Sequence, residues 1–213
     1  QKAAQFCAAG KFRNAGQVCI SPTRFFVEES VHDEFVNAFK KHVDSINIGD
    51  GLDPSVNMGP LVAERRIDII DDFVTDAISK GAELIVGGKR AQSQGSFYQP
   101  TLMRNVPETA RIMTEEPFGP IAPTTTFKTL DEVINRSNSL PFGLAAYAFT
   151  QSPKTARLLK TEIESGMLAI NSLHIHSVET PFGGLKHSGY GYEGGIEGVE
   201  AFLATKYSSE IFE

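Results

Sequence analysis

Arg24-Phe25-Phe26-Val27-Glu28 runs straight into Glu29-Ser30-Val31-His32-Asp33-Glu34-Phe35-Val36-Asn37-Ala38-Phe39-Lys40-Lys41-His42-Val43, and the two patterns together indicate the fold class. Its first five residues are rich in aromatic and β-branched side chains, which suit a pleated, half-buried surface, and they predict a strand. Val31, Phe35, Phe39 and Val43 then recur at every fourth position. That spacing puts one apolar stripe on a helix. Ser30 is placed to cap this helix, with Asp33 three residues on as its acidic partner. A strand that feeds a helix is the building unit of an α/β domain.

The same alternation extends in both directions. Upstream, residues 2–9 read as a short helix stopped near Gly10. Downstream, a polar loop at 49–60 precedes a second striped helix through Ile67, Ile70, Val74 and Ile78, which Gly81 ends in the position of a C-terminal cap. Strands are expected near 83–86, 101–106 and 121–127, a helix at 130–138 and a strand at 145–150. A helix at 153–163 opens on Pro153, and a buried strand follows at 167–170. A glycine-rich stretch, 183–198, leads to a last strand near 204–211. The whole reads as one α/β domain with a mostly parallel sheet. The last strand has no evident local partner, which suggests an arm that pairs with another subunit.

Composition narrows the function classes. The 213 residues are 41% hydrophobic and 22% charged, ordinary for a globular chain with a real core. The net charge is -6 with the basic residues scattered, so the basic stripe of a nucleic-acid binder is missing. No apolar run approaches the ~18 residues of a membrane span. No charged-then-apolar leader is legible. Two cysteines, Cys7 and Cys19, make neither a disulfide framework nor a zinc cluster. A cytoplasmic, reducing location is the expectation. The chain opens Gln1-Lys2-Ala3-Ala4-Gln5-Phe6, without methionine and within a helical pattern, and so reads as a fragment.

The chemistry concentrates at Lys11-Phe12-Arg13-Asn14-Ala15-Gly16-Gln17-Val18-Cys19-Ile20-Ser21. A cysteine that follows a glycine-containing turn and precedes a strand can expose its thiol and aim backbone N–H groups at the atom it attacks. From the residues alone, a buried structural cysteine is an equal alternative. Cys7 has no identifiable partner and reads as structural. His174 and His176 share one face of an extended segment, but two ligands do not make a metal site, and no metal is expected. Gly183, Gly184, Gly189 and Gly191 read as tight turns, because they do not follow the phosphate-binding Gly-x-Gly-x-x-Gly pattern between a strand and a helix.

Four segments in register carry a resemblance. Phe12-Arg13-Asn14-Ala15-Gly16-Gln17-Val18-Cys19 is similar to the active-site signature of the aldehyde dehydrogenase superfamily. Glu115-Glu116-Pro117-Phe118-Gly119-Pro120, Pro141-Phe142-Gly143-Leu144-Ala145 and Pro181-Phe182-Gly183-Gly184-Leu185-Lys186-His187-Ser188-Gly189-Tyr190-Gly191 resemble three further segments of that family, in the same order. The resemblance implies a three-layer catalytic domain over residues 1–200 and an oligomerisation strand over 201–213, with a homodimer or homotetramer as the assembly. It implies Cys19 as the nucleophile, whose thiolate forms a thiohemiacetal and then a thioester. It implies Glu116 on the nicotinamide ribose of NAD or NADP, Phe118 beside the nicotinamide, and Phe182 lining the substrate tunnel. The residue-level alternatives are a solvated loop acid for Glu116 and core packing for Phe118 and Phe182.

Arg13, six residues before Cys19, matches the arginine that binds the distal carboxylate in succinate and α-ketoglutaric semialdehyde dehydrogenases. A planar guanidinium suits a carboxylate; the alternative is an ion pair with a nearby acid. The family's hydroxyl-bearing residue before Pro-Phe-Gly-Gly falls here at His176 or Ser177, a departure that leaves the length of the substrate open. The general-base glutamate, an oxyanion-holding asparagine and the NAD(P)-binding domain lie upstream in the family and are absent from this chain. The chain alone is therefore expected not to oxidise an aldehyde. Two rival readings are a thiol esterase that uses Cys19 without NAD and a non-catalytic oligomerisation module.

Overall fold

The computed structural model describes residues 1–92 and 94–213. Its main sheet contains β1 (Phe25–Glu28), β2 (Glu83–Val86), β3 (Thr101–Arg104) and β4 (Ile121–Phe127), in the order β1-β4-β3-β2. β4 is parallel to both neighbours, with Phe25 opposite Thr124 and Thr101 opposite Ile121, and β2 adds an antiparallel edge. The mostly parallel α/β architecture read from the sequence is the one observed. β4 is central because its first five residues, Ile121 to Thr125, are all buried, as a strand covered on both faces requires.

Three helices cover this sheet: α1 (Lys2–Phe12), α2 (His32–Val43) and α3 (Arg65–Ser79). α1 and α2 meet around Phe39, which is fully buried. Its ring lies 5.5 Å from Phe25, 5.7 Å from Phe35 and 6.0 Å from Phe12, the first and last edge-on, an arrangement aromatic quadrupoles favour. One polar chain crosses the core. His32 Nε2 lies 3.0 Å from Thr124 Oγ1, which donates in turn to the Met103 carbonyl at 3.1 Å. Every buried polar atom in that chain is thereby bonded.

Beyond the sheet lie α4 (Leu130–Asn138), a short antiparallel pair formed by β5 (Phe142–Gly143) and β8 (Leu185–Lys186), and a parallel pair formed by β6 (Ala145–Ala148) and β7 (Met167–Ile170). α5 (Pro153–Glu162) connects β6 to β7, and α6 (Gly195–Glu200) follows β8. Ser152 caps α5 ahead of Pro153 by accepting from the Thr155 N–H at 3.2 Å. No helix among the described residues is long and apolar enough to cross a membrane.

Several sequence expectations shift. Gly10 does not stop α1, which continues to Phe12 because Lys11 and Phe12 are buried and Leu173 packs where a Gly10 side chain would stand. Ser30 does not cap α2; its hydroxyl bonds Glu28 within a 3₁₀ turn, Glu29–Val31, and the helix starts one residue later. The buried stripe is consequently His32, Val36, Phe39 and Val43, and Val31 is exposed. Gly81 does end α3 with positive φ, and the Gly81 and Ala82 N–H groups bond back to Ile78 and Ala77. The strand expected at 204–211 is not formed. Residues 203–213 have no regular structure and no strand partner among the described residues, and Tyr207, Ile211 and Phe212 are exposed.

Phe39→Ala is expected to destabilise this domain by about 3–5 kcal/mol, the range for large aromatic truncations in a core. Urea unfolding of the full-length protein, with the exposed Leu52→Ala as the variant that leaves the midpoint in place, measures it.

Candidate active site

After α1, the chain makes a tight turn, Arg13–Gly16, in which Asn14, Ala15 and Gly16 are successively left-handed, with φ of 50°, 54° and 72°. Gly16 is required twice over. Its φ is unfavourable for other residues, and a Cβ there would lie 2.1 Å from the Gly119 carbonyl oxygen. Gly119 belongs to the Glu115–Pro120 segment, so two motifs about a hundred positions apart meet backbone to backbone.

Gln17 anchors the chain at the exit from this turn. Its amide nitrogen donates to the carbonyls of Asn14 at 3.0 Å and Pro60 at 3.2 Å, and its oxygen accepts from the Val62 N–H at 2.8 Å. A second turn then runs from Val18 to Ser21, closed by the Ser21 N–H on the Val18 carbonyl at 2.9 Å, with Cys19 and Ile20 at its corner. The Ser21 hydroxyl donates to the Lys11 carbonyl at 3.3 Å, and the Tyr147 phenol donates to the Ile20 carbonyl at 2.8 Å. Cys19 stands exposed on this braced turn. Its backbone N–H has no acceptor among the described residues. Cys7 is the opposite case: it is buried, and burial pushes its thiol up to about 12.

The neighbouring loop separates two adjacent acids. Glu115 is held by Arg111 through two contacts of 2.9 Å, whereas Glu116 is exposed and bonds to nothing among the described residues. Phe118 has φ 43° and is 38% exposed in this chain. Arg66 holds the loop by donating to the carbonyls of Pro117 and Phe118. Beneath it lies Lys11, fully buried, with no hydrogen-bond partner for Nζ among the described residues. Burial drives its amine down to about 7, against the pull of the Glu116 charge.

A cleft of about 160 Å³ opens beside the cysteine turn, lined by Phe6, Arg13, Val18, Ile20, Tyr147 and Leu173 among others. Arg13 is exposed and forms no ion pair among the described residues. Tyr147 is pushed up to about 12 by burial and then by the charge of Cys19, with Arg13 opposing. The remaining candidates form a separate group. The His176 ring packs edge-on against Phe182 at 6.0 Å and stacks with His174 at 6.2 Å. Ser177 ties its loop to Thr180, and its hydroxyl holds Glu179 below the usual carboxylate range. His176, Ser177 and Phe182 do not line the cleft. Gly183 and Gly184 sit where a Cβ would strike Tyr192 and Ser188, but Gly191 has open space and an unremarkable φ, so nothing in the chain demands a glycine there.

Gln17, Tyr147 and Lys11 join the site without standing out as site residues in the sequence. Tyr147 does leave a trace: it is the one large side chain in Ala145-Ala146-Tyr147-Ala148. Lys11 leaves another, as a charge on the apolar side of a helix.

The sequence model of the aldehyde dehydrogenase family matches residues 1–208. The chain belongs to the aldehyde dehydrogenase family. An NADP(+) succinate-semialdehyde dehydrogenase of Escherichia coli K12 is 40% identical over 206 residues, 97% of this chain and 43% of that protein. A 4-(hydroxymethyl)benzenesulfonate dehydrogenase of Comamonas testosteroni is 42% identical over 197 residues, 92% of this chain and 41% of that protein. The chain thus spans less than half the length of these relatives. The crystal structure of an E. coli NADP-dependent enzyme superposes with a TM-score of 0.93 at 39% identity, covering 95% of this chain and 42% of that one. The α/β fold is therefore that of aldehyde dehydrogenase chains.

The contrast between the cysteines has a direct consequence. Iodoacetamide at neutral pH is expected to alkylate Cys19 in the native full-length protein and to leave Cys7 untouched until the protein is unfolded; peptide mapping reads both. Gly16→Ala is expected to push the cysteine turn off Gly119 and lower the Cys19 alkylation rate about tenfold or more, whereas a wild-type rate would show that this contact does not set the turn.

Proposed function

We propose that the full-length protein oxidises an aldehyde to the carboxylic acid with NAD(P)+, and that this chain supplies the nucleophile. The observation that carries the reading is the exposed Cys19 on a turn braced against the Glu116 loop. The Cys19 thiolate adds to the aldehyde carbon and gives a tetrahedral thiohemiacetal, whose oxyanion accepts a hydrogen bond from the unengaged Cys19 N–H. NAD(P)+, when bound, supplies the acceptor for the hydride that this carbon gives up. Water then hydrolyses the thioester on Cys19 and releases the acid and the thiol. Glu116 suits the ribose of the cofactor because its two oxygens are uncommitted. Phe118, held outside the core, suits the nicotinamide.

For the substrate, we read an aldehyde with an anionic group away from the reacting carbon, a carboxylate-bearing semialdehyde in the first instance. Arg13 lines the cleft beside the Cys19 turn with a guanidinium that no acid pairs among the described residues. Both named relatives act on compounds with a second, anionic end, a carboxylate in one and a sulfonate in the other. Phe182, His176 and Ser177 shape the far side of the substrate path in this reading. The general base and most of the cofactor site lie outside this chain, so the chain expressed alone yields no NAD(P)H. Residues 201–213, which expose Phe202, Leu203, Tyr207, Ile211 and Phe212 and pair with no strand among the described residues, fit a strand that another subunit completes, giving a homodimer or homotetramer in the cytoplasm.

Two substitutions in the full-length protein test this. Cys19→Ala is expected to abolish aldehyde-dependent NAD(P)H formation, and retained turnover would remove the nucleophile. Arg13→Ala is expected to raise the KM for succinate semialdehyde about 10- to 100-fold, the scale of one lost charge-assisted bond, and to leave butanal nearly unchanged. Equal effects on the two aldehydes would remove the anion-binding role.

A further inference from the structure

We propose that Tyr147 is a positioning residue for the nucleophile: its phenol locks the peptide unit that closes the turn on which Cys19 is presented. The inference rests on the reading of Cys19 as the nucleophile and names a residue that acts through it.

The geometry is specific. The carbonyl of Ile20 and the N–H of Ser21 belong to one planar peptide unit. That unit is held at both ends, by the Ser21 N–H on the Val18 carbonyl at 2.9 Å and by the Tyr147 hydroxyl on the Ile20 carbonyl at 2.8 Å. If the second bond is lost, the unit can rotate, and any rotation also breaks the first, because both bonds hang on the same plane. Cys19 sits at the corner that these two bonds define. The other braces act elsewhere: Gln17 fixes the approach to the turn, and the Ser21 hydroxyl fixes the exit. Among the described residues, Tyr147 alone reaches the closing peptide from a different part of the fold, bridging 127 positions from β6.

The strand is built for this. Ala145, Ala146 and Ala148 present methyl groups, so only the tyrosine has the length to reach the turn. The phenol also lines the cleft with Val18 and Ile20, the two neighbours of Cys19. Because burial and the nearby thiol charge keep the hydroxyl protonated to about 12, it remains a donor when Cys19 is a thiolate. The bond therefore persists in the reactive state.

The test is Tyr147→Phe in the full-length protein, which removes one oxygen and keeps the ring that fills the cleft wall. The expected result is a fall in kcat of about tenfold for the aldehyde and a fall of at least about threefold in the iodoacetamide alkylation rate of Cys19, with the KM for NAD(P)+ unchanged. Wild-type kcat and alkylation rate would overturn the proposal. So would a loss of both that merely tracks a lowered thermal midpoint, which is read on the same samples and corrected for the unfolded fraction. Tyr147→Leu, which also removes the ring, is expected to be no slower in alkylation than Tyr147→Phe at equal folded fraction; a further tenfold loss would show that packing, not the hydroxyl, sets the turn. Cys19→Ala separates the two claims. If it is inactive and Tyr147→Phe is normal, only the tyrosine inference fails; if it is active, the nucleophile reading itself fails.

Discussion

The contact between Gly16 and the Gly119 carbonyl is the constraint on which the rest of the site depends. A hydrogen at the Gly16 α-position is all that fits, since a methyl group would stand 2.1 Å from a backbone oxygen. That closeness lets the turn leading to Cys19 and the loop carrying Glu116 and Phe118 act as one piece. It also forces the unusual run of left-handed residues at 14–16, because the chain must leave α1, reverse and rise against Gly119 within four residues. Backbone strain of this kind persists only where the surroundings over-determine it. Here they do so through Gln17, which is bonded at three points, and through the hydroxyls of Ser21 and Tyr147.

The fold serves this contact. α1 delivers the cysteine turn and is pinned by Phe12 to the aromatic cluster around Phe39. α3 delivers Arg66, which holds the carbonyls of Pro117 and Phe118 and so fixes the opposite side. The second parallel pair, through Tyr147, reaches across to the turn from behind. Three packed elements thus place one thiol, which is the pre-organisation a reactive centre needs. The thiol of Cys7, only twelve positions away in the chain, shows the alternative outcome: the same residue type on the buried face of a helix is an inert filler of the core.

Much of this is legible in the sequence, and the limits have physical causes. Period and turn chemistry locate β1, α2, α3 and the β6–α5–β7 unit, because those segments have clear apolar periods and, at Gly81 and Ser152-Pro153, clear end signals. The N-terminus of α2 escapes that reading, since Ser30 has a nearer carboxylate in Glu28 and the helix gains more by burying His32 on Thr124. The extent of α1 escapes it for a similar reason: Gly10 is a stop signal locally but a packing gap for Leu173 globally. The segment near 204–211 is apolar enough for a strand but has no edge to join within the chain. Lys11 and Tyr147 stay hidden because their partners lie more than a hundred residues away, beyond any local pattern.

Glu115 and Glu116 show most plainly where sequence reading gives way to geometry. Side by side, they are the same residue in the same motif. Arg111 lies one helical turn before Glu115, and its planar fork takes both oxygens of that carboxylate. Among the described residues nothing comparable reaches Glu116, and the amine of Lys11, which feels its charge, is sealed in the core and gives it no hydrogen bond. The result is an acid with both oxygens free, among the described residues, to accept hydrogen bonds from a diol, as the proposed ribose role requires, a capacity its neighbour has given up to Arg111.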